Sequence, residues 1–365
     1  MKPTRIPITL LTGFLGVGKS TLLNKILKHP NAGKIAIIVN EFGEVGLDHD
    51  LIETTSEEVV LLPSGCICCT IRSDLAPTIT ALLDKRSVGK LDFDRIVIES
   101  TGLADPVPIQ QTLLIDNFLA SQTYLDGVVT IADTINGPKT LDDHFEAVSQ
   151  AATADFILLS KTDLASAEQI EAFRTRLRHL NATAKIEDVD QAAKTPEILW
   201  GRSGFRQDVA EKDALAWVTK SPEPKAAQDP FANLSGLGAK PIAQPFVHDS
   251  GIVSASIEVD TPLKDQVFDS WLDTLIRLRG KDVLRVKAII FLEGIEHPFA
   301  VHGVQHIFNP PFPLENWTKG DTTSRIVVIA RNMTEAELQR SFDMLRAEPT
   351  ATRTEPIFDE MRGNN

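Results

Sequence analysis

Cysteine is scarce in this 365-residue chain: there are three, and all fall between positions 66 and 69. A disulfide framework spreads an even count of cysteines along a short secreted chain, so that class of fold is excluded. Long hydrophobic runs are missing too. No apolar stretch approaches the roughly 18 residues a membrane span requires, and no membrane partner is expected. Basic charge is the minority sign, with 37 Lys and Arg against 50 Asp and Glu and a formal net charge of −13. That balance argues against a broad footprint for nucleic acid or anionic lipid. Lys2 and Arg5 precede the apolar residues 6–17 as in a secretory leader, yet the stretch runs into Gly18-Lys19-Ser20 instead of a small-residue cleavage site. A cytoplasmic location is the expectation. What the chain does have is 42% hydrophobic and 24% charged residues, the balance of a globular protein, and enough length for two cores.

The first 165 or so residues alternate short apolar runs, at 6–11, 35–39, 59–62, 95–98, 127–131 and 156–159, with helix-like stretches at 20–27 and 74–83. Short β-branched runs separated by helices predict an α/β fold built on a doubly wound, mostly parallel sheet. Residues 221–245 carry five prolines and no period, which reads as a linker. Beyond it the pattern restarts as a smaller α+β domain. Strands are expected at 252–258, 283–292, 299–308 and 324–330, and a helix at 262–279 with Val267, Trp271, Leu275 and Leu278 near one face. A second helix at 334–345 opens on Thr334 with Glu337 at its third position, a capping-box spacing. The expected division is therefore a P-loop domain over 1–220 carrying the three-cysteine motif, a linker over 221–245, the C-terminal domain over 246–347 and a tail over 348–365. No internal repeat is present.

Gly13-Phe14-Leu15-Gly16-Val17-Gly18-Lys19-Ser20 fits G-x-x-x-x-G-K-[ST] and stands between a strand and a helix. The glycines let backbone N–H groups converge on phosphates, helped by the positive end of the helix. Gly13, Gly16, Val17, Gly18, Lys19, Ser20 and Thr21 form the expected phosphate-binding set, with Lys19 reaching the β/γ-phosphates and the Ser20 hydroxyl on Mg²⁺. A Gly-rich turn that binds nothing is the bland alternative, and the strand-loop-helix context weighs against it. The apolar run 95–98 ends in Glu99-Ser100-Thr101-Gly102. Glu99 is placed to hold Mg²⁺, directly or through water, and Gly102 to approach the γ-phosphate by its N–H. Lys19 and Glu99 are the expected catalytic pair; no side chain is marked as positioning the attacking water. Late in the same domain, Ser160-Lys161-Thr162-Asp163 follows another apolar run. Asp163 could accept both hydrogens from guanine N1 and N2, which adenine does not offer, while the Lys161 stem covers the base. Ser160 stands where guanine-binding proteins usually have Asn.

Cys66, Cys68 and Cys69 lie between these two phosphate-contacting motifs. In an extended segment Cys66 and Cys68 share a face, and Cys69 joins them only if the chain turns. Three thiolates leave a tetrahedral Zn²⁺ one ligand short, as an exchangeable site needs. The fourth ligand is open between water, a second copy of the chain in a homodimer, and a carboxylate such as Glu44 or Glu41. A buried apolar cysteine cluster is the plain alternative, and a redox pair is the stronger rival, although C-x-x-C spacing is absent. His297, His302 and His306 read as members of a small sheet face, and the four tryptophans as packing residues.

These motifs together, with Asn40-Glu41-Phe42-Gly43-Glu44-Val45-Gly46 and Leu103-Ala104-Asp105-Pro106, resemble the CobW-type metallochaperone GTPases. That family belongs to the SIMIBI class of P-loop proteins, alongside the hydrogenase and urease nickel chaperones. The first half looks most like its YjiA-like branch, and Val283-Leu284-Arg285-Val286-Lys287, Gln305-His306-Ile307-Phe308 and Trp317 look like its C-terminal domain. The resemblance implies a GTPase that binds GTP and GDP with Mg²⁺, carries Zn²⁺ or Co²⁺ at the three cysteines and delivers it to a client metalloprotein. It also implies that GTP orders residues 41–48 and 66–69 and that hydrolysis, slow unless stimulated, loosens the metal. Ser160 departs from the usual Asn. Val39 stands where the branch can carry an extra acidic ligand, which counts against its auxiliary zinc site. No His-rich stretch is present. A P-loop phosphotransferase and a thiol redox switch with a structural nucleotide are the rivals from other classes.

Overall fold

The structure, a computed structural model, describes residues 5–39, 59–61, 70–202, 211–219, 251–317 and 320–346. Cys66, Cys68, Cys69, Glu41, Glu44, the linker at 221–245 and the tail from 348 lie outside the described residues.

The first half lays down β1 (Ile6–Gly13), α1 (Lys19–Leu27), β2 (Ile35–Val39), β3 (Val59–Leu61), α2 (Thr70–Ser87), β4 (Arg95–Glu99), α3 (Val107–Ile115) and α4 (Asn117–Gln122). It continues with β5 (Thr123–Asp133), α5 (Gly137–Asp143), α6 (Phe145–Thr153), β6 (Phe156–Ser160), α7 (Ala167–Leu180), β7 (Lys185–Asp188) and α8 (Val189–Lys194). Among the described residues these strands form one seven-stranded sheet in the order β3-β2-β4-β1-β5-β6-β7. Every neighbouring pair is parallel. Both faces are covered, as continuous apolar strands require. Ile8, Leu10, Ile96 and Ile98 pack with residues of α2 and α3, while Leu11, Ile37, Val97 and Ile131 pack with Leu22, Leu23 and Ile26 of α1. Because the sheet is parallel, the carboxyl ends of β4, β1, β5 and β6 share one edge, where open α/β sheets bind ligands.

Two departures from expectation have plain causes. β7 reads Lys-Ile-Glu-Asp, an exposed to half-buried edge strand with no apolar run to betray it. β5 starts at Thr123, not 127. Asp126 interrupts the apolar pattern yet is buried, accepting from Arg95 Nη1 at 3.2 Å and from the Gly201 N–H at 2.8 Å.

The second half holds α9 (Glu211–Val218), β8 (Ile252–Val259), α10 (Asp265–Arg279), β9 (Val283–Ile290), β10 (Phe299–Val304), β11 (Ile307–Phe308), β12 (Phe312–Pro313), β13 (Ser324–Arg331) and α11 (Glu335–Phe342). Its antiparallel sheet runs β11-β10-β9-β13-β8, with β12 also on β10. The expected single strand over 299–308 is instead a short hairpin that reverses at Gln305, whose φ is 58°. The capping box at α11 is present, Thr334 and Glu337 bonding reciprocally. One sheet face, with Val286, Ala288, Ile326 and Val328, packs on Trp271, Leu275, Leu338 and Phe342 of α10 and α11. Leu278, expected with them, is 75% exposed and lines a groove beside Leu275 and Met344.

The other face is unusual. Alternation along β9 brings Arg285, Lys287 and Ile289 to it, and Ile289 packs with Ala214, Trp217 and Val218 of α9. Thus α9, which the sequence groups with the first domain, covers the second sheet. There Asp155, just before β6, accepts from Trp217 Nε1 at 3.1 Å, Arg285 Nη2 at 2.6 Å and Lys287 Nζ at 2.9 Å. Its other oxygen accepts from the Val128 N–H at 3.0 Å. Arg285 also donates to the carbonyl of Thr153 at the end of α6. His302, paired with Lys287 in register, meets the Trp217 ring edge-on at 6.0 Å and is buried, so it is a member of this interface and not of an open surface.

Candidate nucleotide site

The phosphate loop leaves β1 at Gly13 and enters α1 at Lys19. Gly18, the N-cap, holds φ at 100° and supplies no side-chain cap, so the first N–H groups of α1 are left to an anion. Val17 is buried beneath the loop and anchors it in the core, whereas Leu15, Gly16 and Thr21 are exposed. Lys19 is buried, and its Nζ donates to the carbonyls of Gly13 at 2.9 Å and Phe14 at 3.1 Å. The ammonium is thus held over the loop itself.

The carboxyl end of β4 lies alongside, with Glu99 in register with Leu11 of β1 and Val39 of β2. Ser20 Oγ donates to Glu99 Oε1 at 2.9 Å. A hydroxyl and a carboxylate at this separation are hard oxygen donors of the kind Mg²⁺ prefers. Val39 is buried among apolar neighbours. The chain then turns past Ser100, whose hydroxyl donates to Thr12 Oγ1 at 2.9 Å, and reaches Gly102. A Cβ on Gly102 would stand 2.5 Å from the backbone nitrogen of Leu15, so only glycine lets this loop lie against the phosphate loop.

On the other side of β1, Lys161 takes a left-handed backbone, φ 56°, directly after β6. Its Nζ donates to Asp133 Oδ2 at 2.5 Å. Asp133 ends β5, and its Oδ1 accepts the N–H groups of Ile135 at 2.8 Å and Asn136 at 2.9 Å. Burial pushes the Asp133 carboxyl up, but the hydrogen bonds from Lys161, Asn136 and Ile135 outweigh it and hold the group below its ordinary value. It stays ionised and fixes the lysine stem. Asp163 lies exposed on the 3-10 turn Thr162–Leu164, and Ser160 is buried at the end of β6.

Two polar residues escaped the sequence reading. Asp133 ends its strand as Glu99 ends β4, a signal of the same kind. Gln150 sits in Ala-Val-Ser-Gln-Ala-Ala, a buried polar residue in a small-residue helix. Its Nε2 donates to the carbonyls of Gly102 at 3.1 Å and Ala104 at 3.0 Å. The residues of the site thus come from the carboxyl ends of four strands, β4, β1, β5 and β6. No group of three His, Cys, Asp or Glu that could hold a metal ion occurs among the described residues. The described helices include none long and apolar enough to cross a membrane.

Residues 7–188 match the family described as CobW/HypB/UreG, nucleotide-binding domain, and residues 252–346 match the Cobalamin synthesis protein cobW C-terminal domain. Zinc chaperone YjiA of Escherichia coli K12 is 32% identical over 343 residues, covering 93% of this chain and 99% of that one. Zinc chaperone CobW of Pseudomonas aeruginosa is 32% identical over 368 residues, 92% of this chain and 90% of its own. Zinc-regulated GTPase metalloprotein activator 1 of Schizosaccharomyces pombe is 39% identical over 188 residues, 50% of this chain and 45% of that one. The crystal structure of Zn(II)-bound YjiA GTPase from E. coli aligns with a TM-score of 0.70 at 29% identity, over 95% of this chain and 100% of that chain.

Proposed function

Because the chain belongs to the CobW/HypB/UreG family and carries the CobW C-terminal domain, we propose that it is a GTP-hydrolysing metallochaperone. It binds Zn²⁺, or alternatively Co²⁺, at Cys66, Cys68 and Cys69 and hands it to a client metalloprotein under nucleotide control. The observation that carries this reading is the 2.9 Å pairing of Ser20 with Glu99 beside Gly102. In sequence, the three thiols fall between the phosphate loop and that carboxylate. The zinc named for two full-length relatives and the GTPase named for a third support it.

The loop N–H groups and the N-terminus of α1 bind the phosphates, and Lys19 turns from the loop carbonyls to the β/γ-phosphate oxygens. Ser20 and Glu99 hold Mg²⁺, which when bound draws charge from the transferring phosphoryl group. Lys161, braced by Asp133, lies along the base, and Asp163 accepts from guanine N1 and N2. Gly102 reads the γ-phosphate through its N–H. The fourth metal ligand comes from water, a second copy of the chain, or a carboxylate such as Glu44 or Glu41. Turnover is slow and rises with metal or client.

The test is a Zn²⁺ and Co²⁺ titration of the reduced protein with GTP–Mg²⁺ and with GDP, in competition with a chromophoric chelator. A triple variant, Cys66→Ser, Cys68→Ser and Cys69→Ser, is the control. Tight, cysteine-dependent binding that differs between the two nucleotides is expected. Weak binding, or binding indifferent to nucleotide, removes the coupling and returns the protein to the redox or phosphotransferase readings.

A further inference from the structure

Gln150 spends its whole amide donor capacity on one loop. Nε2 carries two hydrogens, and they go to the carbonyls of Gly102 and Ala104, at 3.1 and 3.0 Å. The neighbouring Ser149 hydroxyl donates to Asp105 Oδ1 at 2.9 Å, and that same oxygen caps the Val107 N–H at 3.1 Å, where α3 begins. One helical turn of α6 therefore holds the segment from Gly102 to Asp105. On its opposite side that segment has the backbone of Leu15, too close for any side chain on Gly102.

The helix that does the holding is itself fixed. Thr130 Oγ1 donates to the carbonyl of Gln150 at 2.8 Å. Asn181 Nδ2 donates to the carbonyls of Ala151, Ala152 and Ala154 at 2.9, 3.1 and 2.8 Å, and Arg285 donates to that of Thr153. The last turn of α6 thus has its carbonyls satisfied from β5, from the end of α7 and from the C-terminal sheet. A shift of Gly102 relative to the phosphate loop must break bonds to Gln150, because α6 does not follow. Burial raises the stakes: Gln150 is 1% exposed, and a carbonyl deprived of it has no solvent to turn to.

We propose that Gln150 is a positioning residue for the γ-phosphate. It sets the distance of Gly102 from the phosphate loop, and through it the preference for GTP over GDP and the rate of hydrolysis. GDP has no group at that place, so the residue acts on one nucleotide and not the other, the differential interaction that discrimination requires. The inference rests on the nucleotide reading of the site and adds to it the residue that tunes that reading.

The experiment compares wild type with Gln150→Met, which keeps the volume and removes both donors. It measures affinities for a non-hydrolysable GTP analogue and for GDP, both with Mg²⁺, steady-state GTP hydrolysis, and the melting temperature. The expected result is a fall in kcat of at least about tenfold and a GTP-analogue affinity reduced at least about fivefold. GDP affinity stays within about twofold. Equal losses for both nucleotides, or unchanged kcat in a folded variant, overturn the proposal and leave Gln150 a structural amide. If Gln150→Met does not fold, Gln150→Asn, which retains the amide but falls a methylene short, is judged by the same numbers. A wild-type protein that neither binds nor hydrolyses GTP is the failure of the underlying reading, seen before any variant is made.

Discussion

At position 102 an added Cβ would meet the Leu15 backbone nitrogen at 2.5 Å and its Cα at 2.7 Å, and neither can move without displacing the phosphate loop. Gly102→Ala is therefore expected to lower kcat/KM for GTP on the order of 100-fold, the usual cost of a displacement near 1 Å in a positioned site. The melting temperature should shift far less; an alanine variant with full turnover would show that the two loops are not functionally in contact. Of the individual residues, those proposed for phosphate and Mg²⁺ were legible, since Lys19, Ser20 and Glu99 stand in motifs of recognisable spacing. Those that hold Lys161 and the Gly102 loop were not. Asp133 and Gln150 bond to atoms 28 and 48 residues away in the chain, and no spacing rule reaches that far.

Among the elements, β9 carries the clearest conflict between pattern and place. Alternation puts Arg285 and Lys287 on one face, a charged pattern that suits solvent, yet both are buried at 1% and 2% exposure. One carboxylate, Asp155, serves both cations, so burial, with the Arg285 charge behind it, pushes Lys287 down from 10.5 to about 7 although Asp155 opposes the change. Between about pH 7 and 10.5 the unfolded chain keeps the Lys287 proton that the folded chain has lost, so unfolding takes up a proton and stability rises with pH across that window. His302, driven well below 6.5 by burial and then by Arg285, works in the same direction under pH 6.5. Urea midpoints of wild type should climb from pH 7 to 9, and the climb should flatten in Lys287→Met; parallel pH profiles would refute the assignment. At this scale the sequence located most strands and the α11 cap correctly, because period and capping are local. It missed β7, where pairing with β6 decides the structure and no apolar run marks it, and the Gln305 hairpin, a two-residue reversal inside a run that reads as one strand.

At the scale of the molecule, Asp155 joins the two sheets. Burial by itself would raise its carboxyl, but Arg285 and Lys287 hold it far below its ordinary value, so it is a buried anion with buried cationic partners. Removing one member of such a cluster strands the others, at a cost of about 3–5 kcal/mol. Asp155→Ala should lower the urea unfolding free energy by that amount and separate the melting of the two halves. A loss under about 1 kcal/mol would mean the charges are solvated in practice. The same aspartate precedes β6, which leads to Ser160 and Lys161, so the anchorage of the C-terminal sheet and the Lys161–Asp133 pair share one strand. From sequence alone came the doubly wound sheet, the phosphate loop, Glu99 with Gly102, and the smaller α+β half. All of these depend on short-range period, on glycine's conformational freedom or on a motif matched to a ligand. Tertiary structure alone decided that α9 covers the second sheet, that Arg285 and Lys287 close on Asp155, and that α6 holds the Gly102 loop. Those contacts bring together residues up to 132 positions apart, and their partners are selected by burial and charge balance once both sheets have formed.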